Sequence, residues 1–211
     1  MMQTNNPLEK STSEENLMIE YSPHYNSLNC PPLDQWSPEL RVAVFEDRVN
    51  GWMLSVARQI AQESGSSGCA VLSIILSYFE MIALYERGNR APLKSRLRFY
   101  AGLESVAKHN AWPDADVPRL AARLYTDCRC ALYHEGMISP HALVCSDRLK
   151  NEAYEFREGR LVVNPERIVD AVENHFTAYI ERLKSSHGLD EFTTQFTRSF
   201  VQPDRYGSVR G

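Results

Sequence analysis

The sequence predicts a mainly α protein, a four- to five-helix bundle with a small β-hairpin before the last helix. Long segments place apolar residues three and four positions apart, which is the spacing of one buried helix face. One of these segments is apolar on nearly every side, as is typical of a helix enclosed by its neighbours. Two short segments rich in β-forming residues flank Glu158-Gly159, which predicts the hairpin.

Boundary signals support the helices. Ser37 followed by Pro38 is typical of an N-cap and a first helical residue, and it predicts a helix that runs to about residue 63. Asn164 followed by Pro165 gives the same signal for the last helix, which ends at about residue 184. The other helices are expected over about 69–87, 95–109 and 120–137, and the first of these is the enclosed one. Short strands are expected over 142–146, 153–156 and 161–163.

A single helical domain is expected over residues 37–187, between two polar tails. Residues 1–36 are rich in Asn, Ser, Pro and Glu and have no sustained period, which is typical of a disordered tail. Residues 188–211 are polar and contain glycine, which predicts a flexible C-terminal tail.

Composition favours a cytoplasmic protein without a membrane partner. No run of eighteen apolar residues is present, and residues 1–20 lack the basic and apolar segments of a signal peptide. The five cysteines are odd in number and scattered, which favours reduced thiols. The net charge of −4 gives no global attraction to nucleic acid, but 18 of the 23 basic residues are arginines, which suit bidentate phosphate contacts.

The segment 120–137, LAARLYTDCRCALYHEGM, carries the strongest functional pattern. Its apolar stripe is Leu120, Leu124, Cys128 and Ala131. Its other face is polar and comprises Arg119, Arg123, Thr126, Asp127, Arg129, Tyr133 and His134. Gly136 is expected to end the helix in the left-handed conformation, which places His134 in the last turn.

Arg129 and His134 match the pattern R-x4-H, which by itself is weak. With this many arginines and histidines, R-x(4 to 6)-H is expected about once or twice by chance in a chain of this length. A second match, Arg182 to His187, lies where the last helix runs into a polar Ser-Ser-His-Gly segment, and we expect it to have no role in cleavage. Arg129, by contrast, lies among Cys128, Cys130 and apolar residues.

LYTDCRCALYHEGM resembles the signature of the HEPN family (higher eukaryotes and prokaryotes nucleotide-binding), whose all-helical domains often act as metal-independent ribonucleases. The resemblance is specific over about residues 120–137 and extends as architecture over roughly 38–184. It implies that Arg129 and His134 are the catalytic pair, and that two copies face each other across a homodimer. It also implies a defence or toxin-like endoribonuclease that acts on RNA, with a cognate antitoxin or regulatory protein as a further candidate partner.

Such a pair needs neither a metal nor a cofactor for this chemistry. An unperturbed imidazole has a pKa of about 6.5. His134 can therefore transfer the 2′-hydroxyl proton, while Arg129 stabilises the charge that develops on phosphate. Arg119, Arg123 and Tyr133 lie on the same predicted face and are candidate substrate-binding residues.

Three alternatives stay open. Active members often have a polar residue after the arginine, where this chain has Cys130, so a catalytically inactive domain that binds a nucleotide or a protein is the alternative function. The polar face is otherwise an ordinary solvated one with an Arg123–Asp127 pair. Glu80 is the one charge within the apolar helix, and it is either an exposed edge residue or the buried partner of an arginine.

Overall fold

The computed structural model describes residues 18–63, 67–145 and 149–200. Six helices make up most of these residues, which confirms the predicted mainly α fold. Their bounds are Pro38–Val49 continuing through Asn50–Leu54 and Ser55–Glu63 (α1), Gly68–Arg87 (α2), Ser95–His109 (α3), Val117–Arg123 continuing through Leu124–Cys130 and Ala131–Glu135 (α4), Pro165–Lys184 (α5) and Leu189–Phe200 (α6). The middle parts of α1 and α4 are π-helical.

The predicted boundary signals act as expected. The Ser37 hydroxyl accepts a hydrogen bond from the Leu40 backbone N–H at 3.2 Å, and Pro38 is the first residue of α1. Asn164 Oδ1 accepts from the N–H groups of Glu166 and Arg167 at the start of α5, at 3.1 and 3.4 Å. Each cap satisfies donors that have no partner inside the helix, which fixes where α1 and α5 begin.

α2 is the central helix, as its composition predicts. Val71, Leu72, Ile75 and Phe79 are fully buried. By length and composition alone α2 is apolar enough to cross a membrane, but half of its most apolar window is enclosed by the rest of the chain. α3 crosses it closely at Gly102, where an added Cβ would lie 1.8 Å from the carbonyl oxygen of Phe79. The burial of its side chains and its close crossing with α3 are typical of a core helix.

The three-stranded sheet confirms the hairpin and adds a parallel strand. β4 (Tyr154–Arg157) and β5 (Arg160–Val163) are antiparallel and joined at Glu158 and Gly159, which have φ values of 50° and 77°. β3 (Ala142–Val144) pairs in parallel with β5, so β5 is the middle strand. The predicted strand over 142–146 therefore has its first three residues in the sheet, and residue 146 lies outside the described residues.

The prediction of an unstructured N-terminal segment is wrong from residue 18 onward, while residues 1–17 lie outside the described residues. β1 (Glu20–Ser22) and β2 (Tyr25–Asn26) form an antiparallel pair against α1, where the Ser22 hydroxyl donates to Asp47 Oδ2 at 2.6 Å. Tyr21 and Trp36 are buried edge to face, with ring centroids 4.9 Å apart. Two aromatic side chains therefore anchor a segment whose composition is mostly polar.

The C-terminal tail prediction is likewise wrong for residues 189–200, which form α6, and residues 201–211 lie outside the described residues. Phe192 and Phe196 are fully buried. The ring of Phe192 lies 5.4 Å from that of Phe45 and 5.7 Å from that of Tyr85. Burial of these two phenylalanines against α1 and α2 stabilises the helix, as packing of an apolar face does for most protein helices.

Candidate functional site

α4 carries the predicted site residues and ends where the sequence indicates. Leu120, Leu124, Cys128 and Ala131, the predicted stripe, are all buried. Gly136 follows the last turn with a φ of 72°, and its N–H donates to the Leu132 carbonyl at 3.2 Å. This left-handed residue stops the helix directly after the turn that carries His134.

Arg129 is held against the central helix. Its Nε donates to Glu80 Oε1 at 3.0 Å, and its Nη2 lies 2.9 Å from the same oxygen. Ser95 of α3 donates its hydroxyl to Glu80 Oε2 at 2.6 Å. The Arg129 and Glu80 side chains are only 27% and 16% exposed, so solvent screens the ion pair weakly. Of the two roles left open for Glu80, the structure shows the partner of an arginine.

Tyr133 and His134 continue this cluster to the surface. The guanidinium carbon of Arg129 lies 5.1 Å from the centre of the Tyr133 ring, and the Tyr133 and His134 rings are 5.3 Å apart at nearly a right angle. Tyr133 is 77% exposed and His134 is also exposed. Arg129, Tyr133 and His134 therefore form one contiguous patch, with the arginine at its buried end and the imidazole in solvent.

A groove of about 360 Å³ lies beside this patch, between α2 and the end of α4. Leu72, Leu76 and Leu132 give it apolar walls, and Glu80, Arg129 and Tyr133 lie at its polar side. A concave apolar surface with a few convergent polar groups is the usual form of a binding site. Met137, just past the helix, is 65% exposed and extends the apolar character of this edge.

The other two candidate substrate-binding residues make different contacts. The guanidinium of Arg119 stacks 3.9 Å from the centre of the Phe156 ring on β4. Arg123 pairs with Asp127 and donates from Nη2 to the His141 carbonyl at 2.7 Å. Asp127 is itself buried, although the helical pattern places it on the polar face. Arg123 thus ties α4 to the start of β3, and the structure groups only Tyr133 with Arg129 and His134.

Cys128, on the buried face of α4, has a packing role. Cys128 is fully buried, and burial, with Asp127 and Cys69 nearby, raises the pKa of its thiol to about 12. A thiol with so high a pKa is a poor nucleophile and a poor metal ligand at neutral pH. Within residues 18–63, 67–145 and 149–200, no three His, Cys, Asp or Glu side chains are grouped so as to hold a metal ion.

The patch can supply one fixed cation and one titratable imidazole to a ligand that lies along the end of α4. Sequence reasoning found Arg129 and His134 from their pattern, but Ser95 lies in a segment without any motif and was missed. No family model matches the chain, and no curated protein or solved structure matches it significantly.

Proposed function

We propose that this protein is a metal-independent endoribonuclease of the HEPN type, of the defence or toxin-like kind, that acts as a homodimer in the cytoplasm. The proposal rests on the contiguous Arg129–Tyr133–His134 patch, in which the motif arginine and histidine lie 5.1 and 5.3 Å from the ring centre of the exposed Tyr133. The resemblance of LYTDCRCALYHEGM to the HEPN signature implies which reaction the patch would catalyse.

In the proposed reaction, the 2′-oxygen attacks the adjacent phosphorus and the bond to the 5′-oxygen breaks. One His134 takes the 2′-hydroxyl proton, and His134 of the second copy gives a proton to the leaving 5′-oxygen, so the protons balance. Arg129 stabilises the charge on the phosphorane. The products are a 2′,3′-cyclic phosphate and a 5′-hydroxyl.

The ion pair with Glu80 is compatible with this role because of the shape of a guanidinium. Glu80 contacts Nε and Nη2 of Arg129. A guanidinium has five N–H donors in a planar fork, so the Nη1 side can still reach a phosphate oxygen. Held in this way, the arginine is oriented before the substrate binds, which is the preorganisation that charge stabilisation needs.

The same ion pair favours one alternative, a catalytically inactive domain that binds a nucleotide or a protein partner. Glu80 neutralises the charge of Arg129 within one protomer, which weakens its attraction to the extra charge of a transition state. An inactive domain needs the groove and the exposed Tyr133 but no proton transfer by His134. The two functions therefore differ in what His134 does.

Cleavage of a fluorescent RNA in EDTA tests the proposal. The wild type should cleave and leave 2′,3′-cyclic ends, and His134→Ala should cleave roughly 10²-fold more slowly or worse, the usual loss for a positioned acid or base. His141→Ala, at another exposed histidine, is the matched control and should leave the rate unchanged. No cleavage by the wild type on any RNA, with groove binding that Arg129→Lys weakens, would instead establish the binding function.

Light scattering tests the assembly. The patch on one protomer lies at an exposed edge with Tyr133 and Met137, and a two-fold interface there would bring two patches together. We expect a dimer that buries more than about 1,000 Å² of total surface. A monomer at tens of micromolar would contradict the paired site.

A further inference from the structure

A second cavity, of about 750 Å³, lies away from the α4 patch, between the C-terminal parts of α2, α3 and α5. Its volume is in the range of small-molecule sites, roughly 300–1,000 Å³. Arg182 and His187, the second match to the R-x4-H pattern, line it. The structure thus places this pair at a cavity, where sequence reasoning expected only an open helix end.

The floor of the cavity is a buried polar network centred on His175. Hydrogen bonds join its Nδ1 to the Tyr78 hydroxyl at 2.9 Å and its Nε2 to the Ser105 hydroxyl at 3.0 Å. Glu86 Oε1 lies 3.5 Å from the same Nε2 and accepts from Arg182 Nη2 at 2.7 Å. The carboxylate of Glu86 therefore already has two partners, the Arg182 guanidinium and the His175 imidazole.

The rim of the cavity is basic. Lys108 and His109, in the last turn of α3, are exposed and line it together with Arg182 and His187. Lys108 makes no ion pair with any residue in the described part of the chain. The His109 and His175 rings lie 5.6 Å apart, and Glu86 is the one carboxylate among the lining residues. The cavity is thus lined by several positive and neutral hydrogen-bond donors and by one carboxylate, Glu86, which is already paired with Arg182.

The charges around His109 also favour an anionic ligand. Burial, and then His175 and Arg182, lower the pKa of His109, and a bound anion would act in the opposite direction. The ring of Tyr179 lines the cavity beside Arg182, whose guanidinium carbon lies 5.4 Å from the centre of the ring.

We propose that this cavity binds a small phosphorylated molecule, with its phosphate held by Lys108, His109 and Arg182. A phosphate monoester has three terminal oxygens and accepts from several donors at once, which matches this rim. The cavity is much larger than inorganic phosphate needs, so Ala178 and the Tyr179 ring are left to contact the organic part of the ligand. The site is independent of the α4 patch and holds whether or not the protein cleaves RNA.

Isothermal titration calorimetry of the full chain at pH 7 and low salt tests the site with AMP, inorganic phosphate and adenosine. AMP and phosphate should bind, and adenosine, which lacks the phosphate, should bind at least about tenfold more weakly than AMP, the effect of about one charge-assisted hydrogen bond. Lys108→Gln and His109→Gln should each weaken AMP binding by about tenfold or more. Both side chains are exposed, so neither change opens a core cavity.

Lys94→Gln and His141→Gln are the matched controls, at exposed residues outside the cavity, and should leave AMP affinity unchanged. In histidine NMR spectra of the wild type, AMP should shift the imidazole signals of His109 and His187. No binding of AMP or phosphate at millimolar concentration would overturn the proposal. Shifts confined to His134, with full affinity in Lys108→Gln, would also overturn it and would assign the ligand to the α4 groove.

Discussion

One carboxylate oxygen of Glu80 accepts a hydrogen bond from Nε of Arg129 and lies 2.9 Å from Nη2, and the other accepts from the Ser95 hydroxyl. Three helices therefore meet at one carboxylate: α2 supplies it, α4 the arginine and α3 the serine. This relationship makes Arg129 a structural residue as well as a functional candidate, and it changes how its substitution should be interpreted.

Arg129→Ala should lower the free energy of unfolding by about 1–2 kcal/mol, because it leaves a mostly buried carboxylate without its cation. A surface position would have cost less than about 0.5 kcal/mol. Urea denaturation measures the change. The double variant Glu80→Gln, Arg129→Ala removes the stranded charge and should recover part of the loss. Equal stability of Arg129→Ala and the wild type would show that the ion pair contributes nothing.

Gly102→Ala should destabilise the protein by about 3 kcal/mol or more, because the new methyl group would overlap the Phe79 carbonyl and push α3 from α2. Gly159→Ala is the contrasting variant. It has a φ of 77° with nothing within 4 Å of the added atom, so it should cost only the backbone strain of about 1–2 kcal/mol. Thermal unfolding compares the two, and a smaller loss at Gly102 than at Gly159 would contradict the close crossing.

Glu86 should make the protein sensitive to acid. Burial acts to raise its pKa, but hydrogen bonds and charge from His175, with those of Ser105 and Arg182, outweigh burial and hold the pKa below its ordinary value of 4.5. The unfolded chain therefore binds this proton more readily than the native state does. The stability that Glu86 contributes is present above pH 4.5 and is lost as the pH falls below that value through the folded pKa.

Denaturation at a series of pH values should show this loss in the wild type and a flatter profile in Glu86→Gln, whose amide does not titrate. Glu104→Gln, at an exposed carboxylate whose side chain is 71% accessible, serves as the control and should keep the wild-type profile. Identical slopes for the wild type and Glu86→Gln below pH 4.5 would contradict the lowered pKa.

The cysteines should differ in reactivity. Cys69 is exposed, whereas Cys128 is fully buried with its pKa raised to about 12. A thiol-alkylating reagent at pH 8 should modify Cys69 in the native protein and reach Cys128 only in denaturant, since the thiolate is the reactive form. Peptide mass spectrometry measures both. Labelling of Cys128 as fast as Cys69 under native conditions would show that the core stripe of α4 opens readily.

Local signals predicted the long helices well, because caps and breakers act on adjacent residues. Ser37 with Pro38, Asn164 with Pro165, and Gly136 each determine a helix end through contacts within a few positions. α6 could not be predicted in the same way. Its polar sequence is folded by Phe192, whose aromatic partners Phe45 and Tyr85 lie on α1 and α2, and by Phe196, whose ring packs near Trp36. These partners lie about a hundred residues or more earlier in the chain.

The candidate site was also predicted only in part, because only its local features have a signal in the sequence. Arg129 and His134 were found because their spacing fits a motif. The spacing rules assume 3.6 residues per turn, and the π-helical part of α4 departs from it, so Asp127 is buried where a polar face was expected. The parallel pairing of β3 with β5 also has no local signal, since it joins Ala142 to Leu161, and β4 lies between these two strands in the sequence.

The π-helical segment Leu124–Cys130 also affects how α4 tolerates a change in chain length. A π-type hydrogen bond spans five residues instead of four, so each such turn holds one residue more than a regular α turn. Loss of one residue within this segment, such as Thr126, can be absorbed locally as the helix becomes regular, and Leu120 and Ala131 keep their orientation toward the core. The same loss within α3 would rotate every later residue of that helix by about 100° and turn its buried face outward.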